Sequence, residues 1–398
     1  MTNDELIISV YELLSNSNSK NLSEFIDKKL NELQISQRQF CDSISIQRRS
    51  LQRLLEGEAQ KVDAITLLKI SQFFDVDIKE LVGIFLTGAS KEEKTLLEKS
   101  KINGYLIRNF DLKSLKSMGF IKDINDLDKA SERICSFFNI SNIYQYDALL
   151  TSVLFSRTKN SNSDKMLRFW ISIVKRQFEQ INNPNRFDKE KAMKVIPKLR
   201  TFTLDTVNGF NKFIAALYDC GITVIYESYI TKTQVRGGTF IFNKNPSIVL
   251  TDLNKRYDTM WFALAHELCH VIADYDLIES SGYHLSGEED IFSETAISEE
   301  RADTFARKLL LADEKVDHIS KFIDSDILVE QYAKKWGVHP SVIYGHFLWK
   351  NDDKYALYRK KILNSNVITK NMEIKPWKHE TISETVQLIK SKILQSAN

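Results

Sequence analysis

WFALAHELCHVIA, residues 261–273, decides the fold, because its apolar run is interrupted by a polar triad, His266, Glu267 and His270. Residues four apart lie on one face of a helix, so both imidazoles can reach a single metal ion while Glu267 lies beside it. A polar triad in a buried helix costs free energy unless a metal ion or hydrogen bonds satisfy it. The stretch predicts a buried helix that carries one Zn²⁺ ion.

A third protein ligand must come from elsewhere, because a catalytic zinc ion takes three protein ligands and a water molecule. We expect Glu299, at the start of a predicted amphipathic helix over residues 299–311, where Ala302 and Ala306 allow close packing against the motif helix. Asp303, one turn beyond Glu299, is expected to accept a hydrogen bond from a ligating histidine and to fix its tautomer.

Other residues could supply the third ligand. Glu300 is the first alternative, and Glu294 and His284 are weaker ones. The pattern HExxHxxGxxH is absent, because Ala273 and Asp276 occupy the positions of its glycine and third histidine, so a metzincin site is excluded. The remaining histidines are expected to have no role as ligands; they are His318, His339, His346 and His379.

These residue types predict amide hydrolysis. Zinc lowers the pKa of a bound water and polarises the scissile carbonyl, while Glu267 takes the water proton and passes it to the leaving amine.

A small antiparallel sheet is predicted before the motif helix. Its strands are expected at residues 222–226, 239–242 and 248–250, which are β-branched and aromatic, with a hairpin turn at 243–246. A substrate could lie extended along an exposed edge of that sheet.

Residues 22–86 show short bursts of helical periodicity and predict a bundle of about five helices. Within it, residues 35–46 predict a capped helix and a tight turn, and residues 47–56 predict a second helix that Gly57 terminates. The second helix of such a pair enters the DNA major groove. The expected DNA-contacting residues are Gln37, Gln47, Arg48, Arg49, Ser50 and Arg53. Similar helical units also serve as protein-binding modules, which is the alternative.

Composition limits the partners and the compartment. With 55 basic and 53 acidic residues the net charge is +2, so any DNA contact must be local. The four cysteines form no CxxC pair, which favours a reducing compartment and excludes a cysteine zinc site. The start MTNDELIISV lacks the features of a signal peptide, and no apolar run of about 18 residues occurs, so we expect a cytoplasmic protein without a membrane segment.

A mainly helical, α+β chain of several domains is therefore expected. A tail or short helix at 1–21 precedes a helix-turn-helix domain at 22–86, and a helical connecting region follows at 87–200. A zinc peptidase domain is expected at 201–365, and a tail with an amphipathic helix at 366–398.

Residues from about 200 to 349 resemble the ImmA/IrrE family of zinc metallopeptidases, through residues 256–262, the HELCH motif and residues 299–310. The segment Glu-x-x-Ala-Asp-x-Phe-Ala from Glu299 is similar to the helix that carries the family's third ligand, which supports Glu299 over Glu300. His346-Phe347 stands where the family more often has Arg-Leu, so this chain departs from the family pattern at that pair.

The N-terminal unit resembles the lambda-repressor-like (Xre-type) helix-turn-helix, and the fusion resembles HigA-like regulators and antitoxins. The resemblance implies a zincin-like fold, a DNA operator, and limited proteolysis of a protein such as a repressor or antitoxin, in stress, mobile-element or phage-defence settings.

Two hypotheses follow for the function. In the first, a zinc endopeptidase cleaves a protein partner or itself, and the helix-turn-helix directs it to an operator, which a homodimer could bind as paired half-sites. In the second, the chain is a DNA-binding regulator or antitoxin whose zinc site is structural or sensory. Glu267 favours the first, because a structural site needs no general base.

Overall fold

The computed structural model describes residues 22–56, 63–87, 91–150, 162–287, 298–369 and 374–397. Gly57, Glu294 and the predicted tail at 1–21 lie outside these residues. The chain divides into two units, Met1–Ile102 and Asn103–Asn398. No helix among the described residues is long and apolar enough to cross a membrane.

Five helices form the described part of the first unit up to residue 87, as the periodicity predicts. They are α1 (Leu22–Glu32), α2 (Gln37–Ser43), α3 (Arg48–Leu55), α4 (Ala64–Phe74) and α5 (Ile78–Thr87). Ser36 begins α2 with a capping box, in which its hydroxyl accepts from the Gln39 amide and the Gln39 side chain accepts from the Ser36 amide. Phe40 stacks on Phe74 with ring centroids 4.9 Å apart, which ties α2 to α4 in the core of this unit.

Helices continue through the region before the sheet. They are α6 (Lys91–Asn109), which contains the division between the two units, α7 (Leu112–Ser117), α8 (Leu127–Phe138), α9 (Tyr146–Leu150), α10 (Asn162–Ile181), α11 (Lys189–Val195), α12 (Leu199–Phe202) and α13 (Gly209–Tyr218). Arg133 of α8 donates hydrogen bonds to the carbonyls of His379 and Glu380. The C-terminal segment therefore packs on this helical region as part of the second unit.

Within the described part of the chain the sheet has four strands, β1 (Thr223–Glu227), β2 (Val235–Phe242), β3 (Asn245–Thr251) and β4 (Tyr283–Gly287), in the order β1-β3-β2-β4. A two-residue turn joins β2 to β3, and both of its residues, Asn243 and Lys244, have positive φ, which suits the twist of a hairpin. The predicted hairpin is present, although β3 begins inside the stretch predicted as its turn.

The small sheet was expected to be antiparallel, but one of its strand pairings is parallel. β2 runs antiparallel to both of its neighbours, but β1 pairs with β3 in parallel, so the sheet is mixed. The hairpin signal concerned only β2 and β3, and nothing local in the sequence specifies where β1 pairs. The fourth strand, β4, was not predicted either; it follows the motif helix and a short helix, α15 (Tyr275–Ser281).

The motif helix is α14 (Tyr257–Ala273), and most of its apolar residues belong to the core of the second unit. Trp261 is fully buried and packs edge-on against Phe210 of α13 with ring centroids 4.9 Å apart. The chain continues through α16 (Glu299–Leu310), α17 (Asp313–Ser320), α18 (Asp326–Trp336), α19 (Pro340–Lys350), α20 (Tyr355–Tyr358), α21 (Asn366–Thr369) and α22 (Ile382–Ala397). Because α14 is buried on nearly every side, its polar triad is held in a fixed, largely dry environment.

Candidate metal centre

His266 and His270 lie one turn apart on α14, and both side chains are inaccessible to solvent. Their Nε2 atoms are 3.1 Å apart, as the four-residue spacing of the helix predicts. Each ring is held from its other nitrogen: His266 Nδ1–H donates to Asp303 Oδ1 at 2.8 Å, and His270 Nδ1–H donates to Asp274 Oδ2 at 2.9 Å. These bonds leave both Nε2 lone pairs aimed at the same point.

Glu299 reaches that point from α16. Its Oε2 lies 3.3 Å from His266 Nε2, and its Oε1 lies 3.2 Å from His270 Nε2. The helix approaches α14 closely because Ala302 and Ala306 are fully buried and bring no bulk to the contact. Ser298 begins the helix, its hydroxyl accepting from the Arg301 amide.

The three side chains fit a zinc ion. Donors that each lie about 2.0–2.1 Å from a tetrahedral ion are about 3.3 Å from one another. The two Nε2 atoms are 3.1 Å apart, and each has one of the two Glu299 oxygens at 3.2 or 3.3 Å, so the separations are close to that value. With each Nδ1 proton donated to an aspartate, the two Nε2 atoms and the Glu299 carboxylate converge on one point, where a cation could bind all three side chains. Among the described residues, His266, His270 and Glu299 form the only group of histidine, cysteine or acidic side chains whose ligand atoms all lie within 4.8 Å of one another.

The electrostatics of the centre favour a cation. Burial alone lowers the pKa of His266, but its hydrogen bonds with Asp303 and Glu299 outweigh burial and raise that pKa to about 9. Burial also opposes ionisation of Glu299, yet contacts with the histidines, above all His266 and His270, hold its pKa well below the usual range. The centre is thus a region of negative potential inside an apolar core.

Glu267 lies beside this group but outside it, as expected for a general base rather than a ligand. It is 1% exposed, and its Oε2 accepts a hydrogen bond of 2.7 Å from the Thr239 hydroxyl of β2. Its Oε1 faces Gly237, where a Cβ atom would lie only 2.8 Å away. The carboxylate therefore has a defined orientation, set by two residues on the same face of one strand.

The sequence patterns did not predict the roles of several residues at the centre. Asp274 lies four residues after His270, and this helical spacing was an available signal; its other oxygen accepts from Arg301. His284 was considered only as a weak ligand, yet its Nε2–H donates to Glu299 Oε1 at 2.6 Å. Ser286 Oγ lies 3.2 Å from His266 Nε2. Thr239, His284 and Ser286 belong to β2 and β4, so no local pattern connects them to the motif.

Glu300, the first alternative for the third ligand, and the remaining histidines do not belong to the metal-binding group. Glu300 is exposed. His346 is buried, and its Nδ1–H donates to the Val342 carbonyl within α19. His318 contacts the Tyr332 hydroxyl, and the His339 ring accepts from the Ser341 amide. None of these histidines converges with the pair on α14 among the described residues.

In the first unit, α3 presents its polar residues on one face. Leu51 and Leu54 are buried, whereas the residues on the other face are exposed: Gln47, Arg48, Arg49, Ser50, Gln52 and Arg53. Gln37, at the start of α2, is partly exposed and donates to Asp27 Oδ1 at 3.3 Å. This is the arrangement that a DNA-reading helix requires.

Comparison with known families agrees with the metal centre in the second unit and with the helix-turn-helix in the first. Residues 219–344 match the model of a peptidase family described as the IrrE N-terminal-like domain, and residues 26–85 match the Cro/C1-type HTH DNA-binding domain. The chain therefore combines a DNA-binding helix-turn-helix domain with a domain of a metallopeptidase family that is generally zinc-dependent. No significant match was found among curated proteins or solved structures.

Proposed function

We propose that this chain is a DNA-binding regulator whose C-terminal domain is a zinc endopeptidase that cleaves a protein partner, such as a repressor or antitoxin, or the chain itself. The observation that carries the proposal is the position of Glu267: a buried carboxylate, hydrogen-bonded by Thr239, beside three convergent metal-binding side chains but not among them. A structural zinc site needs four protein ligands and no such base.

His266, His270 and Glu299 would hold the ion, with Asp303 and Asp274 fixing the histidine tautomers. A bound Zn²⁺ supplies a Lewis acid that polarises a carbonyl and makes water acidic near neutral pH. Glu267 then takes the proton from the attacking water and transfers it to the nitrogen of the leaving amine. The base stays in position through the reaction because its Oε2 is held by Thr239.

The substrate peptide would lie extended along β4. This strand is at the end of the sheet and pairs with β2 on one side only among the described residues. Backbone groups on such an edge can pair with an extended peptide of almost any sequence. Two residues of β4, His284 and Ser286, lie against the metal-binding group, so a peptide on this edge would pass close to it.

The test compares the wild-type chain with Glu267→Gln, each co-expressed with the protein encoded by a neighbouring gene. Metal analysis of the purified chains should give one zinc ion per chain in both. Mass spectrometry of the cells should show cleavage of the partner, or of the chain itself, with the wild type alone. Glu300→Gln, an exposed glutamate one residue after Glu299, is the matched control and should cleave like the wild type.

Loss of cleavage on Glu267→Gln with zinc retained would support the endopeptidase. Equal cleavage by both chains, or a wild type that holds zinc and cleaves neither partner nor itself, would favour the second candidate, a regulator with a structural or sensory zinc site. A wild type without zinc would contradict both candidates. The helix-turn-helix would direct either protein to its operator, and a homodimer would read paired half-sites.

A further inference from the structure

The carboxylates of Glu267 and Glu299 each accept a hydrogen bond from one member of a pair of residues that lie opposite each other on neighbouring strands. Thr239 of β2 and His284 of β4 are directly opposite in the antiparallel register. Thr239 Oγ1–H donates to Glu267 at 2.7 Å, and His284 Nε2–H donates to Glu299 at 2.6 Å. Glu267 and Glu299 are 32 residues apart in the sequence, yet each accepts a hydrogen bond from one member of the same cross-strand pair.

The same face of this ladder continues to the next pair, Gly237 and Ser286. Gly237 leaves room for Glu267 Oε1, and Ser286 Oγ lies 3.2 Å from His266 Nε2. The opposite face is apolar: Phe240 stacks on Tyr283 and packs against Phe178 of α10. Because side chains alternate along a strand, one face packs on the helices while the other forms the wall of the metal centre.

We propose that Thr239 and His284 act as a pair of positioning residues, in which Thr239 orients the general base and His284 orients the third ligand. The inference rests on the proposed zinc endopeptidase function. His284 itself lies outside the group of side chains close enough to share one ion. By donating to Glu299 Oε1, it fixes the plane of the carboxylate whose two oxygens face His266 and His270.

The roles of the two residues are separable. Glu299 would be a ligand, so losing its support should weaken zinc binding. Partners of metal ligands typically change affinity by about 10–100-fold when removed. Glu267 is not a ligand, so losing Thr239 should change the orientation of Glu267 and leave zinc affinity within about twofold of wild type. Thr239 and His284 are both buried, so each contact is shielded from competing water.

The first experiment measures zinc affinity of the full chain by competition with a chromogenic chelator. His284→Leu should weaken affinity by about 10–100-fold, and His284→Gln, whose amide can donate from nearly the same place, should restore most of it. His284→Asn, too short to reach Glu299, replaces the leucine variant should that variant fail to fold. His318→Leu, a histidine outside the centre, is the control and should bind zinc like the wild type.

The second experiment compares zinc-loaded crystal structures. In Thr239→Val the Glu267 carboxylate should rotate out of its wild-type position, and in Thr239→Ser it should remain. Thr251→Val is the matched control, because Thr251 is another buried threonine of this sheet and its hydroxyl donates to the Val235 carbonyl instead. These structures, like the affinities, require no substrate.

The outcomes separate this inference from the function on which it rests. A wild-type chain that binds no zinc would overturn the proposed function, and the inference with it. A wild type that binds zinc while His284→Leu and His284→Asn bind it equally well would overturn the inference alone. An unmoved Glu267 carboxylate in Thr239→Val, or a zinc ion bound directly by His284 Nε2, would overturn it in the same way.

Discussion

His266 Nδ1 donates a 2.8 Å hydrogen bond to Asp303 Oδ1, although the two residues are 37 positions apart in the sequence. The bond joins α14 to α16 at the point where Glu299 approaches the histidine pair. Burial opposes ionisation of Asp303, but the hydrogen bond and charge of His266, with a smaller contribution from Arg236 at 3.7 Å, outweigh burial and lower the Asp303 pKa. The aspartate therefore stays ionised and keeps the His266 proton on Nδ1.

Asp303→Asn should weaken zinc binding by about 10–100-fold, because a neutral amide no longer fixes the tautomer or raises the basicity of His266. Asp274→Asn should act in the same direction through His270. Chelator competition measures both. Asp317→Asn, on the exposed surface of α17, should leave the affinity unchanged. Wild-type affinity in Asp303→Asn would show that the hydrogen bond does not tune the ligand.

Gly237→Ala should displace the general base. Its new Cβ would lie 2.8 Å from Glu267 Oε1, too close for both to keep their positions. Misplacement of a catalytic group by about 1 Å can cost about 100-fold in rate, so cleavage should fall by about that factor while zinc content stays at one ion. Gly104→Ala, whose Cβ would meet only the flexible end of Arg108, is the control. Unchanged cleavage by Gly237→Ala would contradict this account of the base.

Arg49→Ala combined with Arg53→Ala should weaken DNA binding and lower its salt dependence. Both arginines are exposed on α3, the predicted reading helix. If each contacts a phosphate, the slope of log affinity against log salt concentration should fall by about 1.8 in magnitude. Fluorescence anisotropy with DNA from upstream of the chain's own gene measures both quantities.

The matched control is Lys28→Ala with Lys29→Ala, which removes the same charge from α1 of the same unit. It should retain both the affinity and the slope. Equal losses in the two double variants would indicate a general effect of charge. No change in the arginine variant would support the protein-binding alternative for this domain.

Glu227→Gln should stabilise the protein more at pH 8 than at pH 5. Burial raises the pKa of Glu227 to about 8, although the nearby side chains of Gln177 and Trp170 act in the opposite direction. Between the ordinary glutamate pKa and about 8, the unfolded chain is ionised while the folded one stays protonated, so wild-type stability falls as pH rises. Glutamine removes that dependence.

Thermal unfolding at several pH values checks this prediction. The melting temperature of Glu227→Gln minus that of the wild type should increase between pH 5 and pH 8. Glu132→Gln, at an exposed position on α8, should show a constant difference. A difference for Glu227→Gln that does not change with pH would mean that this carboxyl is not protonated in the folded protein.

Local patterns accounted for the helices and for part of the candidate site. The spacing of His266 and His270 required only that the stretch be helical, and the alanines at 302 and 306 indicated a helix that could pack closely. The five helices of the first unit followed from periodicity and from caps such as Ser36. These features depend on contacts within about one helical turn, so the sequence displays them directly.

The sequence by itself determined a zinc-type motif on a buried helix and a helix-turn-helix with its exposed basic face. Only the tertiary structure decided that β1 lies parallel to β3, that β4 exists beside β2, and that Thr239 and His284 meet across that ladder. Strand pairing joins residues far apart in the chain, and its register follows from which faces are buried when the whole domain packs. No short stretch of sequence encodes that choice, so the residues that hold the two carboxylates emerged only from the fold.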